Sequence, residues 1–407
     1  MIGSQKEQRS LTKGQKEAVG LLSIGTFLEY FDLFLYVHMA VLLNELFFPK
    51  YDPHTTTLLS SLAFCSIFVF RPIGALIFGW IGDNIGRKTT VIITTFMMSG
   101  SCLVMAKLST YEQIGISASC IVTVCRIVQG MSSMGEQIGA ELYLSELIKP
   151  PFRNVAVGIV GIFASIGIMV ALGIASLVTS YGFNWRLAFW FGAGIALIGA
   201  VARTNLRETP DFADAKRRIK VVAEQSNIDP KKLADNTAWQ EKINKKTAVA
   251  YFILGSAWPA WLYLGYIYCG NILKNSFHFT AEQVIYQNFI VSIVDLAAAV
   301  ILVYLVRKNH PLKILKVKLI IFTPFVILFP IVLNNLTSPF ELLVVQCFIV
   351  LFAPVDFPAR AILYMYFPVF KRFTASIFLA ALSKAAMYVT TAFGFVYLKN
   401  ILVIGAY

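Results

Sequence analysis

Residues 18–43, AVGLLSIGTFLEYFDLFLYVHMAVLL, are an apolar run long enough to cross the hydrocarbon core of a bilayer as one helix. Hydrophobic residues make up 57% of the chain and charged residues only 14%, against about 25% charged residues in soluble domains. Ten further runs of similar character follow, at 58–80, 89–106, 113–144, 155–179, 185–203, 247–270, 283–306, 314–333, 340–366 and 373–398. The sequence therefore predicts an all-α polytopic membrane protein with about eleven spans, and it excludes a soluble enzyme and a disordered chain.

The spans fall into two groups separated by a hydrophilic segment. We expect an N-terminal tail (1–17), a six-helix bundle (18–203), a connecting loop (204–246) and a C-terminal bundle of five spans (247–407). Only nine residues follow the last apolar run, whereas a helix needs about 20 residues to cross the membrane. Either a twelfth helix is missing, so that the C-terminal bundle is truncated, or the C-terminus lies outside the cell.

The distribution of Lys and Arg predicts the orientation in the membrane. With the N-terminus inside, 26 of the 35 Lys and Arg residues fall on inside segments and only 5 on outside segments. Cytoplasmic loops carry such an excess, so we expect a cytoplasmic N-terminus and a cytoplasmic central loop in the cell (inner) membrane. The net charge of +13 therefore indicates membrane topology, and we expect no nucleic-acid partner.

Two carboxylates lie deep in the first span. Glu29 and Asp32 are three residues apart, so they share one face of a helix near or beyond the middle of the membrane. An ionisable group at this depth costs at least about 2.5–3.5 kcal/mol, and such groups commonly mark ion pathways. We expect this pair to take up and release a proton, and the adjacent Tyr30 to contact a solute. The alternative is that both carboxylates form static ion pairs with Arg71 or Arg126.

Polar residues in the second and fourth spans extend this group. Arg71 lies near the middle of the second span, where its guanidinium could bind a solute carboxylate in bidentate fashion or neutralise a carboxylate of the first span. Arg126, Gln129 and Glu136 form a polar stripe along the fourth span. We expect Glu136 to join in proton coupling and Arg126 and Gln129 to bind solute. A buried structural pair between Glu136 and Arg126 is the alternative.

The second half supplies aromatic and charged residues. Trp258 and Trp261 lie three residues apart at the centre of a span, whereas interfacial Trp belts lie at span ends. Their rings could hold a quaternary ammonium group through cation–π contacts. Charged residues in apolar surroundings are assigned a structural role, with two candidate pairs, Asp356 with Arg360 and Asp295 with Lys384.

Several motifs of the first half occur together. They are GTFLEYFDLFLY in the first span, RPIGALIFG and GDNIGRK at the end of the second, then RIVQG, NWRLAFWFGAG and LRETPDF. In these motifs the chain resembles the metabolite:proton symporter branch of the major facilitator superfamily, which includes transporters of proline and betaine, 2-oxoglutarate, shikimate and citrate. The resemblance implies twelve helices in two pseudo-symmetric bundles, a midplane cavity and alternating access.

The superfamily signature GxxxDxxGRK follows the second span, at Gly79, Asp83, Gly86, Arg87 and Lys88. The resemblance implies that this loop is a conformational latch, in which Asp83 meets a helix end or a basic partner. Asn84 stands where the family usually has a basic residue, and Met365 stands where a Glu is usual. The segment 306–316, VRKNHPLKILK, lacks the corresponding elements of the second repeat.

We therefore expect a secondary active transporter that couples proton entry to uptake of a small polar metabolite or osmolyte. A proline- or betaine-like solute is preferred, and a 2-oxoglutarate-like carboxylate is next. One alternative is an inactive, truncated relative. The other is a membrane-embedded acyltransferase or hydrolase, but the four histidines are scattered and no HExxH or GxSxG motif occurs. We expect solute, protons and lipid as partners, and no enzymatic activity, cofactor or metal.

Overall fold

The computed structural model of the chain describes residues 10–39, 43, 46–48, 68–181, 184–226, 242–357 and 359–404. Within these residues every regular element is a helix. The first helices are α1 (Lys13–His38), α2 (Arg71–Asn84), α3 (Arg87–Lys107), α4 (Tyr111–Ile114), α5 (Ile116–Met134), α6 (Ala140–Leu147), α7 (Phe152–Tyr181) and α8 (Arg186–Arg203). The remainder are α9 (Pro210–Ser226), α10 (Lys245–Leu262), α11 (Cys269–Ser276), α12 (Ala281–Lys308), α13 (Pro311–Asn334), α14 (Pro339–Phe352), α15 (Arg360–Tyr364) and α16 (Val369–Ile404).

Seven continuous helical segments in the described part of the chain are long and apolar enough to cross a membrane. Two of them join shorter helices through a turn of π-helix, at Gly135–Gly139 between α5 and α6 and at Tyr263–Tyr268 between α10 and α11. The helices α8 and α14 are apolar but shorter. The predicted all-α polytopic membrane protein is confirmed. The predicted spans 18–43 and 58–80 lie partly outside the described residues.

The predicted tenth span, 340–366, is not one helix. The helix α14 ends at Phe352, and Ala353 is extended, with φ −52° and ψ 131°. Pro354 explains the break, because proline has no N–H to donate and its ring disfavours helical geometry in the residue before it. The chain regains helical structure in α15, and α16 then includes the predicted eleventh span.

Part of the predicted connecting loop is helical. The helix α9 (Pro210–Ser226) lies within 204–246 and contacts α6 and α16. Residues 227–241 of this segment lie outside the described residues. The start of the central segment is therefore packed against helices from both halves of the chain.

The halves of the chain meet along two lines of helix packing. In the first half, α1 packs along α7 and α3 packs along α8. Contacts between α7 and α12 and between α2 and α16 then join the first half to the second. The apolar side chains of α13 point outward, with Ile320, Ile327 and Ile331 all more than half exposed, as expected for a lipid-facing helix. Lys318 of the same helix is buried instead, with 5% of its surface exposed.

Close packing of α1 on α7 depends on Gly167. A methyl group at this position would lie 2.4 Å from the backbone oxygen of Phe27, and the backbone cannot move aside cheaply. Small residues allow such close approach of membrane helices. A methyl group at Gly194 in α8 would have no neighbouring atom within 4 Å.

Gly167→Ala is predicted to destabilise the fold by about 1–3 kcal/mol, the usual result of overpacking. Gly194→Ala should be neutral or slightly stabilising, because Ala is the better helix former by about 1 kcal/mol. Thermal unfolding in detergent measures both. Equal unfolding temperatures for the two variants would contradict this account of the α1–α7 contact.

Candidate functional site

A loosely bonded ion pair lies between α1 and α2. Arg71 Nη2 is 3.5 Å from Glu29 Oε1, and both side chains are almost fully buried. Neither Glu29 Oε2 nor any of the three guanidinium nitrogens of Arg71 has a hydrogen-bond partner within the described residues. Lys384 of α16 interacts electrostatically with both residues. The cluster therefore holds two cations and one carboxylate, with unused donors and an unused acceptor.

Asp32 has a complete set of partners one turn further along α1. Arg126 Nη1 donates to Asp32 Oδ2 at 2.8 Å, and Gln129 Nε2 donates to Asp32 Oδ1 at 3.0 Å. The Arg126 guanidinium also lies 3.9 Å from the ring centroid of Tyr36. The structure thus brings together three predicted site residues in one buried, well-bonded group.

Glu136 is paired with a residue that the sequence did not suggest. Arg203 Nη1 donates to Glu136 Oε2 at 2.5 Å, and the hydroxyls of Thr94 and Thr95 donate to Glu136 Oε1 at 2.9 and 2.6 Å. The predicted alternative of a Glu136–Arg126 pair is wrong, because Arg126 turns toward Asp32 and Arg203 reaches Glu136 from the end of α8. Arg203 also donates to the carbonyl oxygens of Leu21 and Leu22.

A cavity of about 70 Å³ lies between the two halves of the chain. Of the nine residues predicted for proton coupling or solute binding, three line it: Tyr30, Trp258 and Trp261. The other six, Glu29, Asp32, Arg71, Arg126, Gln129 and Glu136, do not. Polar residues that the sequence analysis did not place in the solute site line it as well, namely Gln137, Glu141, Ser165, Asp295, Lys318 and Arg360.

The aromatic residues form one wall of this cavity. The Trp258 and Trp261 ring centroids are 6.1 Å apart, and Tyr30 meets Trp258 edge to face at 5.5 Å. Lys384 Nζ lies 5.2 Å from the Trp258 ring centroid and donates to Gln137 Oε1 at 2.6 Å. One face of Trp258 is therefore already occupied by a cation of the protein itself.

The charged residues that line the cavity differ in how well they are bonded. Arg360 donates to Asp356 at 2.8 Å, so the predicted pair is confirmed, and it also donates to Glu141 at 2.7 Å. Asp295 accepts from Ser165 at 2.9 Å. The predicted Asp295–Lys384 pair is wrong, because Lys384 lies with Gln137, whereas the cation that interacts with Asp295 is Lys318.

The latch motif contacts the start of α16. The Asp83 carboxylate accepts from the backbone N–H groups of Phe373 and Thr374 at 3.1 and 2.8 Å. Gly79 allows this approach, because a methyl group there would lie 2.7 Å from the Thr374 Cα. The helix-end contact that the resemblance implies for Asp83 is therefore present. Gly86 and the backbone N–H of Lys88 lie beside the Glu208 carboxylate.

An ion-pair network extends from the latch across both halves. Arg87 Nε lies 3.2 Å from Glu146 Oε2, and Arg372 Nη1 lies 3.1 Å from Glu146 Oε1. Arg87 Nη2 also donates to the carbonyl oxygen of Val369 at 2.7 Å. Partial burial and the nearby Glu146 raise the pKa of Asp211 in α9, and Arg372 at 3.5 Å opposes this shift.

Aromatic contacts connect the halves at the opposite end. Phe34 meets Tyr266 edge to face at 5.5 Å, and Phe68 stacks on Tyr388 at 3.7 Å between centroids. Asn288 Nδ2 lies 3.4 Å from His38 Nε2. The cavity is therefore flanked by contacts between the halves at both ends.

The sequence analysis assigned no role to two further charged residues, Arg203 and Lys318, which lie near the ends of the predicted spans 185–203 and 314–333. The structure places both in helices, with 0% and 5% of their surfaces exposed. A position near the end of a span did not indicate whether these side chains are buried, because long Arg and Lys side chains reach several residues along a helix.

The comparisons with known proteins agree with this fold. A family model described as Major Facilitator Superfamily matches residues 22–396. The chain therefore belongs to the Major Facilitator Superfamily, and the resemblance seen in its motifs is confirmed.

Curated relatives match about half of the chain. The inner membrane metabolite transport protein YhjE of Escherichia coli is 35% identical over 231 residues, which are 54% of this chain and 52% of YhjE. The proline/betaine transporter of the same species is 31% identical over 205 residues, 48% of this chain and 41% of that protein. The chain thus spans about half the length of these relatives.

Solved structures share the architecture over nearly the whole chain. The proton:xylose symporter XylE of E. coli, bound to 6-bromo-6-deoxy-D-glucose, gives a TM-score of 0.72 at 14% identity, covering 96% of this chain and 90% of XylE. The human organic anion transporter MFSD10 gives a TM-score of 0.67 at 15% identity, covering 93% of this chain and 94% of MFSD10. At these identities the likeness shows the fold alone.

Asp83→Asn is predicted to open the α2–α16 contact, since the uncharged amide loses much of the about 1.5–3 kcal/mol that each hydrogen bond to a charged group contributes. Spin labels at positions 84 and 371, in a chain whose native cysteines are replaced, should report a longer mean distance in this variant.

Asp214→Asn is the matched control, because Asp214 is an exposed carboxylate on α9 at the same end of the molecule. It should leave the distance distribution unchanged. Identical distributions for Asp83→Asn and the parent chain would show that the contact does not hold the halves together.

Proposed function

We propose that the chain is a secondary active transporter that couples proton entry to uptake of a small polar solute. In this proposal the protein lies in the inner membrane with its N-terminus in the cytoplasm, the orientation that the Lys and Arg distribution supports. The two halves rock about the cavity, and the contacts at either end open in turn. The latch of Gly79, Asp83, Gly86, Arg87 and Lys88 closes the cytoplasmic end.

The observation that carries the proposal is the poor bonding of the Glu29–Arg71 pair. A buried ion pair stabilises a protein only when further hydrogen bonds satisfy its remaining donors and acceptors. Here Glu29 Oε2 and all three Arg71 nitrogens are unsatisfied within the described residues. A purely structural pair gains nothing from this arrangement. The unused donors and acceptor suit a pair in which Glu29 gives up its partner for a proton or Arg71 for a solute.

The bonding of the other two carboxylates suggests a division of roles. Asp32 is held by Arg126 and Gln129, so protonation of Asp32 would release a cation next to the Glu29 cluster. Glu136 is saturated by Arg203, Thr94 and Thr95, an arrangement typical of a fixed structural pair. We therefore assign proton uptake to Glu29 and Asp32, and we assign to Glu136 the neutralisation of Arg203.

The nature of the solute is proposed from the site and from the relatives. The aromatic wall of Tyr30, Trp258 and Trp261 suits an apolar or quaternary ammonium body. Arg71 does not line the cavity in this structure, so its unused donors would meet a solute carboxylate only after Glu29 is protonated and the halves have moved. Proline and betaine combine these features, and the names of several relatives include them. A 2-oxoglutarate-like dicarboxylate is the second candidate.

Uptake into proteoliposomes tests the function directly. Labelled proline, glycine betaine and 2-oxoglutarate are offered with an imposed proton gradient, with and without a protonophore. At least one solute should accumulate, and the protonophore should abolish its accumulation. Equal uptake into protein-free liposomes would refute the proposal and would favour an inactive chain.

Asp32→Asn is predicted to abolish proton-driven accumulation and to leave downhill exchange of the solute, because the amide keeps the shape but cannot carry the proton. Counterflow and gradient-driven uptake in the same vesicles separate the two activities. Glu112→Gln, at an exposed carboxylate near the start of α4, is the control and should keep both. Full accumulation by Asp32→Asn would remove Asp32 from the coupling mechanism.

A further inference from the structure

Two oppositely charged residues face the cavity from the second half without touching each other. Asp295 lies near the middle of the 28-residue helix α12, and Lys318 lies on α13. Both line the cavity. They interact electrostatically, yet no ion pair within 4.0 Å joins them among the described residues. A gap therefore separates a partly buried anion from a buried cation.

The Lys318 ammonium is the less satisfied of the two. Only 5% of the residue surface is exposed, and within the described part of the chain it donates no hydrogen bond. Asp295 accepts one hydrogen bond, from Ser165 on α7 at 2.9 Å. A buried charge without close partners is unfavourable, so both groups have unused bonding capacity toward the cavity.

The other two charged residues that line the cavity, Glu141 and Arg360, are already hydrogen-bonded to groups of the protein. Glu141 accepts from Arg360 at 2.7 Å with one oxygen and from Tyr364 at 2.5 Å with the other. Arg360 donates in addition to Asp356 at 2.8 Å. These residues connect the halves of the chain and are bonded to one another. Asp295 and Lys318 are the charged lining residues that remain available to a ligand.

We propose that the Asp295–Lys318 gap is a binding site for the two charges of a zwitterionic solute. The cationic nitrogen of the solute lies at Asp295, which Ser165 orients, and its carboxylate lies at Lys318. The proposal rests on the transport function proposed above and adds the residues that select the solute. A monoanion or a monocation satisfies only one side of the gap and leaves the other charge without a counter-ion.

The remaining cavity wall fits the body of such a solute. Trp258, Trp261 and Tyr30 supply apolar surface on the side of α10 and α1. The volume of about 70 Å³ is several times the about 10–15 Å³ that one buried water requires. A compact solute with adjacent ammonium and carboxylate groups is of the right class, whereas a sugar offers no charge to either residue.

Ligand binding to the full chain in detergent tests the site independently of transport. Quenching of tryptophan fluorescence is the signal, because two tryptophans line the cavity. The probes are L-proline and glycine betaine as zwitterions, cyclopentanecarboxylate as monoanion and pyrrolidine as monocation. The parent chain should bind at least one zwitterion about tenfold or more tightly than either singly charged probe. Equal binding of all probes, or binding of neither zwitterion, would overturn the proposal.

Two single variants and their double combination separate solute binding from simple charge neutralisation. Asp295→Asn and Lys318→Met should each weaken zwitterion binding about tenfold or more. If the two charges only neutralised each other, the double variant Asp295→Asn/Lys318→Met would bind like the parent chain. Loss of binding in a folded double variant supports the site, and parent-like binding overturns it.

Matched controls exist on the same two helices. Glu282→Gln on α12 and Lys313→Met on α13 change exposed charges and should bind like the parent chain. Gel filtration and thermal unfolding verify that each variant is folded. Should a single variant fail to fold, Ser165→Ala supplies the alternative, with weaker zwitterion binding expected and unchanged binding contradicting the site.

The two proposals fail in different ways. Tight zwitterion binding without proton-driven accumulation would support the site and refute the transport function. Protonophore-sensitive accumulation of proline or betaine with an unchanged KM in Asp295→Asn and Lys318→Met would support the function and refute the site.

Discussion

An ion buried in an apolar interior must find a partner, and this constraint organises the charged residues of the chain. Arg126 meets Asp32, Arg203 meets Glu136 and Arg87 meets Glu146. Each pair joins two different helices, so the pairs fix helix positions as well as charge. Because an unpaired ion of this kind would be strongly destabilising, the helices can pack in few other ways.

The pairs are unequal in how completely they are hydrogen-bonded. Glu136 has three donors, whereas Glu29 has one unsatisfied oxygen beside an arginine without hydrogen bonds. The under-bonded groups, at Glu29 with Arg71 and at Asp295 with Lys318, lie where the halves of the chain meet. In the transport cycle that we propose, this is the region in which contacts change.

The contacts between the halves are of different kinds at the two ends. At the latch end they are charged, with Asp83 on backbone N–H groups and Glu146 shared by Arg87 and Arg372. At the opposite end they are aromatic, as in the stack of Phe68 on Tyr388. The hydrogen bonds at the latch end depend on a narrow range of distances and angles. In the transport cycle that we propose, different kinds of contact therefore open at the two ends.

The sequence by itself determined the membrane class, the approximate position of most spans and the family, because long apolar runs and the signature from Gly79 to Lys88 are local features. The break of the tenth span after Phe352 was not anticipated. It also identified Glu29 and Asp32, since carboxylates in an apolar run are conspicuous. Only the tertiary structure decided the partners: Arg203 for Glu136, and the cavity position of Lys318 beside Asp295. Pairing depends on which helices become neighbours and on how far long side chains reach. The spacing of residues along one helix predicts neither the neighbouring helices nor the reach of the side chains.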